Sequence, residues 1–361
     1  MRKSSMIKTL HLDASHPAAL DRAAAILRQG GLVAFATETV YGLGANAVSA
    51  PAVARIFAAK QRPAWDPLIV HLASAEQLAQ VAQTPASLSE RIERLTEAFW
   101  PGPLTLLLPR HPAIPDAVTA GRELVGVRVP RHPAAHALLA AARLPIAAPS
   151  ANRFGHTSPT TAAHVLADLK GRIDAVLDAG PTSIGVESTV LDPTQTPMRL
   201  YRPGAVTPEQ LLTATGIAVE RFVPSPGIPS QEPSALPSPG VGIRHYAPQA
   251  RLELVDGSIQ ALCTALQQAE TPTADPAKSA GRRVGILLPG DWDLPEELRS
   301  RPDVVSAPWG YWNDPEALAA GLFAGLRALD DLDVQTILCP LPPPGGLRDA
   351  IRDRLEKAAR P

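Results

Sequence analysis

Six prolines crowd into the eighteen residues 223–240, VPSPGIPSQEPSALPSPG. No other feature constrains the fold as much. Proline fixes φ and carries no N–H, so such a run joins neither a helix nor a central strand. It predicts an extended, semi-rigid linker. A chain of 361 residues with that interruption is expected to form two domains. We place them at 1–218 and 250–361, joined by a linker at 219–249.

Both flanks carry α/β patterning. Before the break, helical spacing covers 18–29, 52–60, 86–99, 133–142 and 161–169. Short apolar runs at 32–36, 68–72, 104–108, 125–129, 146–148, 175–178, 188–192 and 198–201 read as strands. The crossovers are irregular, which predicts an α/β domain built on a mixed sheet. After the break, strands at 251–255, 284–288 and 334–338 alternate with helices at 258–270, 315–328 and 346–359. That pattern predicts a small parallel α/β domain.

Composition removes several classes of function. The 34 basic residues nearly balance the 35 acidic ones, so bulk positive charge does not hold nucleic acid here. Any RNA contact is expected to be weak or local. The two cysteines, Cys263 and Cys339, support neither a four-thiolate zinc site nor a disulfide framework. The sequence holds neither a secretory-type apolar segment at its start nor a run of about 18 apolar residues. We expect a soluble, cytoplasmic protein without membrane association. Lysine is scarce beside arginine, so each lysine is the more informative residue.

Familiar single motifs fail on context. Gly42-Leu43-Gly44-Ala45-Asn46-Ala47 matches the G-x-G-x-x-A dinucleotide fingerprint, but Thr37–Tyr41 separate it from the preceding strand. A tight turn is the reading there. His132 and His136 stand four apart, yet no glutamate lies between them and Pro133 puts His132 at a helix start. They read as capping or surface residues, not zinc ligands. The sequence contains neither a G-x-S-x-G elbow nor a P-loop, and we expect no protein-held metal.

A dispersed polar constellation remains. FATETVYGLGAN (35–46), KQRPAWDPLIVH (60–71), VGVRVPRHP (125–133), APSANRFGHTSPT (148–160) and GVESTV (185–190) each set polar or cationic residues at a strand end or turn. Strand ends of an α/β sheet converge on a crevice. Together the five segments predict a cleft that binds anions.

These segments resemble the threonylcarbamoyl-AMP synthases in their long two-domain form. TETVYGLG, K-x-R-P before PLIVH, PGPLT, R-V-P-x-H-P, PIAAPSAN, SPT, G-V-E-S-T-V and R-P-G occur in the family's order and spacing. PG-x-x-x-RHYAP and the closing LDDLDV…GLRDAIRDRLEKAA match the long form. The resemblance implies a YrdC-like mixed twisted sheet with helices around a concave cleft, plus a small Rossmann-like domain. It implies a linker lying over the active site, and residues 223–247, stiffened by proline and ending in the Gly240–Tyr246 cluster, are expected to act there as a gate. The implied reaction joins L-threonine, bicarbonate and ATP into threonylcarbamoyl-AMP and pyrophosphate, with Mg2+ on the ATP phosphates. A separate transferase complex would carry the product to tRNA beside the anticodon.

By the same resemblance, Lys60 and Arg62 are the catalytic cations and bind ATP with Asp66, Ser150, Asn152, Ser158, Arg202 and Tyr246. Thr37, His71, Arg128, Ala148 and Ser188 match threonine-binding positions, with Arg128 the partner for its carboxylate and Ala148 offering only backbone. Adenylyl transfer needs such fixed cations and donors around a polyphosphate. Three positions depart from the family pattern. Ala36 replaces a proline, which predicts a looser turn. Trp65-Asp66 replaces a small residue and asparagine, which brings negative charge toward the phosphates. Val241-Gly242-Ile243 replaces Met-Lys-Tyr in the gate. A non-catalytic RNA-binding protein is the competing class, and charge balance speaks against it.

Overall fold

The computed structural model describes residues 7–223, 236, 238, 244–269 and 283–360. Most of 223–240, and with it most of the expected gate, lies outside the described residues. Two units emerge. One comprises Met1–Phe154, Ser158–Ser183 and Glu187–Gly242; the other comprises Gly155–Thr157, Ile184–Val186 and Ile243–Pro361.

In the first unit the chain runs β1 (Leu10–Asp13), α1 (Pro17–Arg28), β2 (Val33–Ala36), β3 (Tyr41–Asn46), α2 (Ala50–Lys60), β4 (Ile69–His71), α3 (Ser89–Phe99) and β5 (Leu104–Pro109). It continues through α4 (Asp116–Thr119), β6 (Leu124–Arg128), α5 (Pro133–Ala142), β7 (Ile146–Ala147), α6 (Ala162–Leu169), β8 (Ala175–Asp178), β9 (Thr189–Asp192), β10 (Met198–Arg202), α7 (Pro208–Thr215) and β11 (Val219–Arg221). The strands form one sheet in the order β1-β8-β2-β3-β7-β4-β6-β5-β9-β10-β11. Parallel pairs such as β4–β6 and β5–β9 alternate with antiparallel ones such as β2–β3, β4–β7 and β5–β6. The sheet is therefore mixed, as expected.

Period-2 alternation gives the sheet two unlike faces. Tyr41, Leu43, Val70, Leu106 and Val127 point into the main core with Val53 and Ile56 of α2 and Leu95 of α3. On the opposite face, Val33, Phe35 and Ile146 pack under Leu27 of α1 and Leu138 of α5. Farther along that face the sequence turns small and polar: Gly42, His71, Thr105, Gly126 and Arg128. A Cβ on Gly126 would lie 3.3 Å from Thr105 Cγ2 and 3.4 Å from Ile69 Cγ1, so these residues share one surface.

The tight turn read at Gly42–Ala47 is overturned, because Tyr41–Asn46 is a strand between β2 and β7. Tyr41, Leu43 and Ala45 alternate into the core, while Gly42 and Gly44 face Phe35 and Ile146. A Cβ on Gly44 would stand 2.9 Å from both the Phe35 ring and Ile146 Cγ2. Packing, and not turn geometry, is what requires glycine there. His132 is the N-cap of α5, its ring nitrogen accepting from Ala134 N at 3.2 Å.

The second unit runs β12 (Arg251–Val255), α8 (Ile259–Gln268), β13 (Val284–Leu288), α9 (Glu296–Arg299), β14 (Val304–Pro308), α10 (Pro315–Asp330), β15 (Thr336–Pro340) and α11 (Leu347–Ala358). Its four strands pair in parallel in the order β12-β15-β13-β14. Leu262 and Leu266 of α8 cover Ile286 and Leu338. Gly185 (φ +82°) abuts α10 so closely that a Cβ would lie 2.3 Å from the Ala319 oxygen. No helix among the described residues is long and apolar enough to cross a membrane.

Candidate active site

The first group of site residues forms where α2 stops. Gln61 caps the helix in the left-handed region (φ 54°), and Arg62 N returns to Phe57 O at 3.0 Å. This reversal leaves Lys60 and Arg62 on one tight turn. Lys60 Nζ is buried and donates to the main-chain oxygens of Ser150 (2.6 Å) and Asn152 (2.5 Å). Burial, with Arg62 nearby, holds its ammonium well below the usual lysine range.

Arg62 donates from Nε to Asp66 O (3.0 Å) and from Nη2 to Pro67 O (2.6 Å), and its Nη2 lies 2.9 Å from Asp66 Oδ2. Asp66 is fully buried. Its charge is thus directed at Arg62. Trp65, the other departure here, sets its ring edge-on to Phe154 at 5.9 Å.

A second group surrounds the β2–β3 turn. Thr37 Oγ1 donates to Val40 O at 2.6 Å. A hydroxyl has one proton, so the 2.8 Å contact between Thr37 and Thr39 is donated by Thr39. Thr39 in turn accepts from Arg128 Nη1 at 2.9 Å. The relay runs from Arg128 through Thr39 and Thr37 to Val40 O. It closes the turn that follows Ala36.

Arg128 also donates from Nε to Gly102 O (3.1 Å), and its Nη2 lies 2.7 Å from Glu38 Oε1. Burial pushes the Glu38 pKa up, but the Arg128 charge, together with hydrogen bonds from Arg128 and from the main chain of Glu38 and Arg131, outweighs it and holds the carboxyl below its ordinary value. His71, paired in register with Arg128, is buried and contacts Ile69 O through Nδ1 at 3.3 Å. Burial, then the Arg128 charge, pushes its pKa down to about 3, so the ring is neutral.

A third group joins β5, β9 and β10. Ser188 Oγ lies 2.8 Å from Thr105 Oγ1 and accepts from Arg202 Nη2 at 3.1 Å, while Arg202 Nε donates to Ser188 O. Ser158 Oγ donates to Glu187 Oε1 at 2.5 Å. Ala148 offers backbone, its N–H donating to Ile69 O at 2.8 Å. Tyr246 belongs to the second unit, where its ring stacks on Phe323 at 5.8 Å and Arg354 sits 5.3 Å over it.

The groups do not share one sheet edge, contrary to the crevice of converging strand ends. β4 and β7 are antiparallel, and Gly42 bridges Ser150. Lys60, Arg62, Asp66, Ser150 and Asn152 therefore gather at the start of β4, while His71, Arg128, Ser188 and Arg202 lie toward its end. Strand β4 has only three residues, about 7 Å from first Cα to last. The turn at 37–39 spans that gap to reach Arg128. Glu38, Thr39, Thr105 and Glu187 were not singled out from sequence. The signal for Glu38 and Glu187 was an acid inside an otherwise anion-binding segment.

A family model described as "Telomere recombination" matches residues 25–204, and one described as "Threonylcarbamoyl-AMP synthase, C-terminal domain" matches 206–360. The chain is 43% identical over 344 residues to the threonylcarbamoyl-AMP synthase of Bacillus subtilis, across 94% of this chain and 92% of that protein. This chain belongs to the threonylcarbamoyl-AMP synthase family. It has the two-domain form and is a nucleotidyltransferase-type enzyme. The Pyrococcus abyssi threonylcarbamoyl-AMP synthase is 40% identical over 338 residues, 93% of each chain. A crystal structure of Pyrococcus abyssi Sua5 complexed with L-threonine matches with a TM-score of 0.83 at 38% identity, covering 97% of both chains. The family fold is thus shared along nearly the whole length.

Proposed function

We propose that this enzyme condenses L-threonine, bicarbonate and ATP into L-threonylcarbamoyl-AMP and pyrophosphate, supplying the threonylcarbamoyl group for tRNA beside the anticodon. One observation carries the reading. Two cationic sites flank the three-residue strand β4: Lys60 with Arg62 before its start, and Arg128 in register with its last residue, His71. A nucleotide and an amino acid laid on this face would meet over β4, with the α-phosphorus next to the amine.

The threonine amine and bicarbonate form N-carboxy-threonine and release water. A carbamate oxygen then attacks the α-phosphorus, and pyrophosphate leaves with the bond's electron pair. Lys60 and Arg62 hold the phosphates; Ser150, Asn152, Ser158 and Arg202 fix the nucleotide. Asp66 acts through Arg62, setting the fork for bidentate contact. An arriving polyphosphate favours the charged form of Lys60 against its burial. Arg128 takes the threonine carboxylate, with Thr37, His71 and Ser188 around the side chain and Ala148 beside it. Mg2+ comes with ATP, on its phosphates. The product passes to a separate tRNA-modifying transferase. Pyrophosphate release that requires both threonine and bicarbonate supports this function; release independent of threonine sinks it.

A further inference from the structure

Two short stretches of chain belong to the second unit although site residues follow them directly: Gly155–Thr157, just ahead of Ser158, and Ile184–Val186, just ahead of Glu187 and Ser188. Helix α10 holds both. Gly185 lies so close to it that a Cβ would stand 2.3 Å from Ala319 O and 2.5 Å from Ala320 Cα. Two turns further along, Arg327 Nη2 donates to Thr157 O at 2.5 Å. Between them Phe323 carries the Tyr246 ring. Asp330 accepts from the main-chain N–H groups of Gln249 (2.9 Å) and Ala250 (3.1 Å). Ala319, Phe323, Arg327 and Asp330 stand at i, i+4, i+8 and i+11, along one side of the helix.

The helix itself is firmly seated, with Leu318, Leu322, Leu326 and Leu329 buried. It is therefore a fixed splint for the segments laid against it. Thr157 is buried, and its carbonyl is held one residue before Ser158. Ser158 Oγ in turn donates to Glu187 Oε1, one residue after the second splinted segment. We propose that Arg327 is a positioning residue of the reaction: by fixing Thr157 O it sets Ser158 against the nucleotide. The proposal rests on the reading that Ser158 contacts ATP. Small misplacements of such a group are costly in a transfer reaction that depends on alignment.

Calorimetric binding to the full-length enzyme tests this, with α,β-methylene-ATP as the nucleotide probe and L-threonine as the control. Arg327→Met keeps the stem and removes the donor. It should weaken the nucleotide about fivefold, the scale of one hydrogen bond, and leave threonine affinity within about twofold. Arg327→Lys, which keeps a donor, should recover most of the loss. In a Ser158→Ala background the contact is already forfeited, so adding Arg327→Met should cost nothing further. A full additive loss there would mean that Arg327 acts elsewhere, and equal weakening of threonine would mean general loosening; either overturns the proposal. Ser158→Ala alone separates the premise. Wild-type nucleotide affinity in that variant takes Ser158 off ATP, and the proposal falls with that reading. Weakening by Ser158→Ala but none by Arg327→Met leaves the reading standing and overturns the proposal alone. Should Arg327→Met not fold, Arg327→Gln takes its place under the same outcomes.

Discussion

Lys60 Nζ donates to Ser150 O at 2.6 Å, a contact between residues 90 apart in the chain. One ammonium thus ties the end of α2 to the 150–152 loop and carries the positive charge assigned to ATP. Lys60→Ala removes both roles. Threonylcarbamoyl-AMP formation is expected to fall at least tenfold, corresponding to roughly 1.5–3 kcal/mol of lost charge-assisted contact. Lys60→Arg should not restore it, because a planar fork does not replace a compact ammonium between two carbonyls. Wild-type turnover in Lys60→Ala would remove Lys60 from the catalytic set.

Arg62 and Asp66 form an ion pair with side chains 3% and 0% exposed. Asp66→Asn leaves a buried guanidinium without its countercharge. Removing one partner of such a pair costs about 3–5 kcal/mol. Urea unfolding should show a loss of that order, together with a raised KM for ATP as Arg62 loses its orientation. An unchanged unfolding midpoint would mean that Asp66 does not hold Arg62.

How far the sequence revealed this arrangement depends on range. Strands with plain apolar runs, such as Ala175–Asp178 and Val284–Leu288, and the proline-started helix Pro133–Ala142 were legible to the residue. Strand β3 was not, because its glycines imitate a turn and their cause, Phe35 and Ile146, lies on other strands. Strand β14 escaped because Val304–Pro308 ends in proline and lacks a clean alternation. Cations at the site stood out by charge and turn context. The pairing of Arg62 with Asp66 was within reach, being four residues long. The pairing of Arg128 with Glu38 was not, since it depends on how a turn between β2 and β3 crosses the face of β4.

Side-chain selectivity follows from the surface beside His71. Phe35 presents its ring to His71 at 6.1 Å between centroids, and Ala148 lies next to Gly42 on the same face. With threonine bound as proposed, its extra methyl over serine is expected to meet this apolar surface. One methyl is worth about 1–3 kcal/mol, so kcat/KM should favour threonine by roughly 10–200-fold. Equal kcat/KM for serine would show that this surface does not read the side chain.

The neutral His71 sets the acid limit of stability. Its folded-state pKa is pushed down to about 3 by burial and then by Arg128, against an unfolded value of about 6.5. Between those two values the unfolded chain holds a proton that the folded chain does not, so acid favours unfolding. The stabilisation is complete above about pH 6.5 and is lost as pH falls toward 3, at about 1.4 kcal/mol per pH unit. The depressed carboxyl of Glu38 acts in the same direction, but only below its own unfolded value of about 4.5. At pH 5 the histidine therefore acts nearly alone of the two. His71→Gln keeps an amide donor for the Ile69 oxygen and does not titrate. Between pH 7.5 and 5, wild-type enzyme should lose about 2 kcal/mol more stability in urea than this variant. Equal losses would mean that His71 accepts its proton in the folded state at an ordinary pH. A protonated ring would then face Arg128 with like charge, and the neutral threonine-side wall inferred from its burial would be wrong.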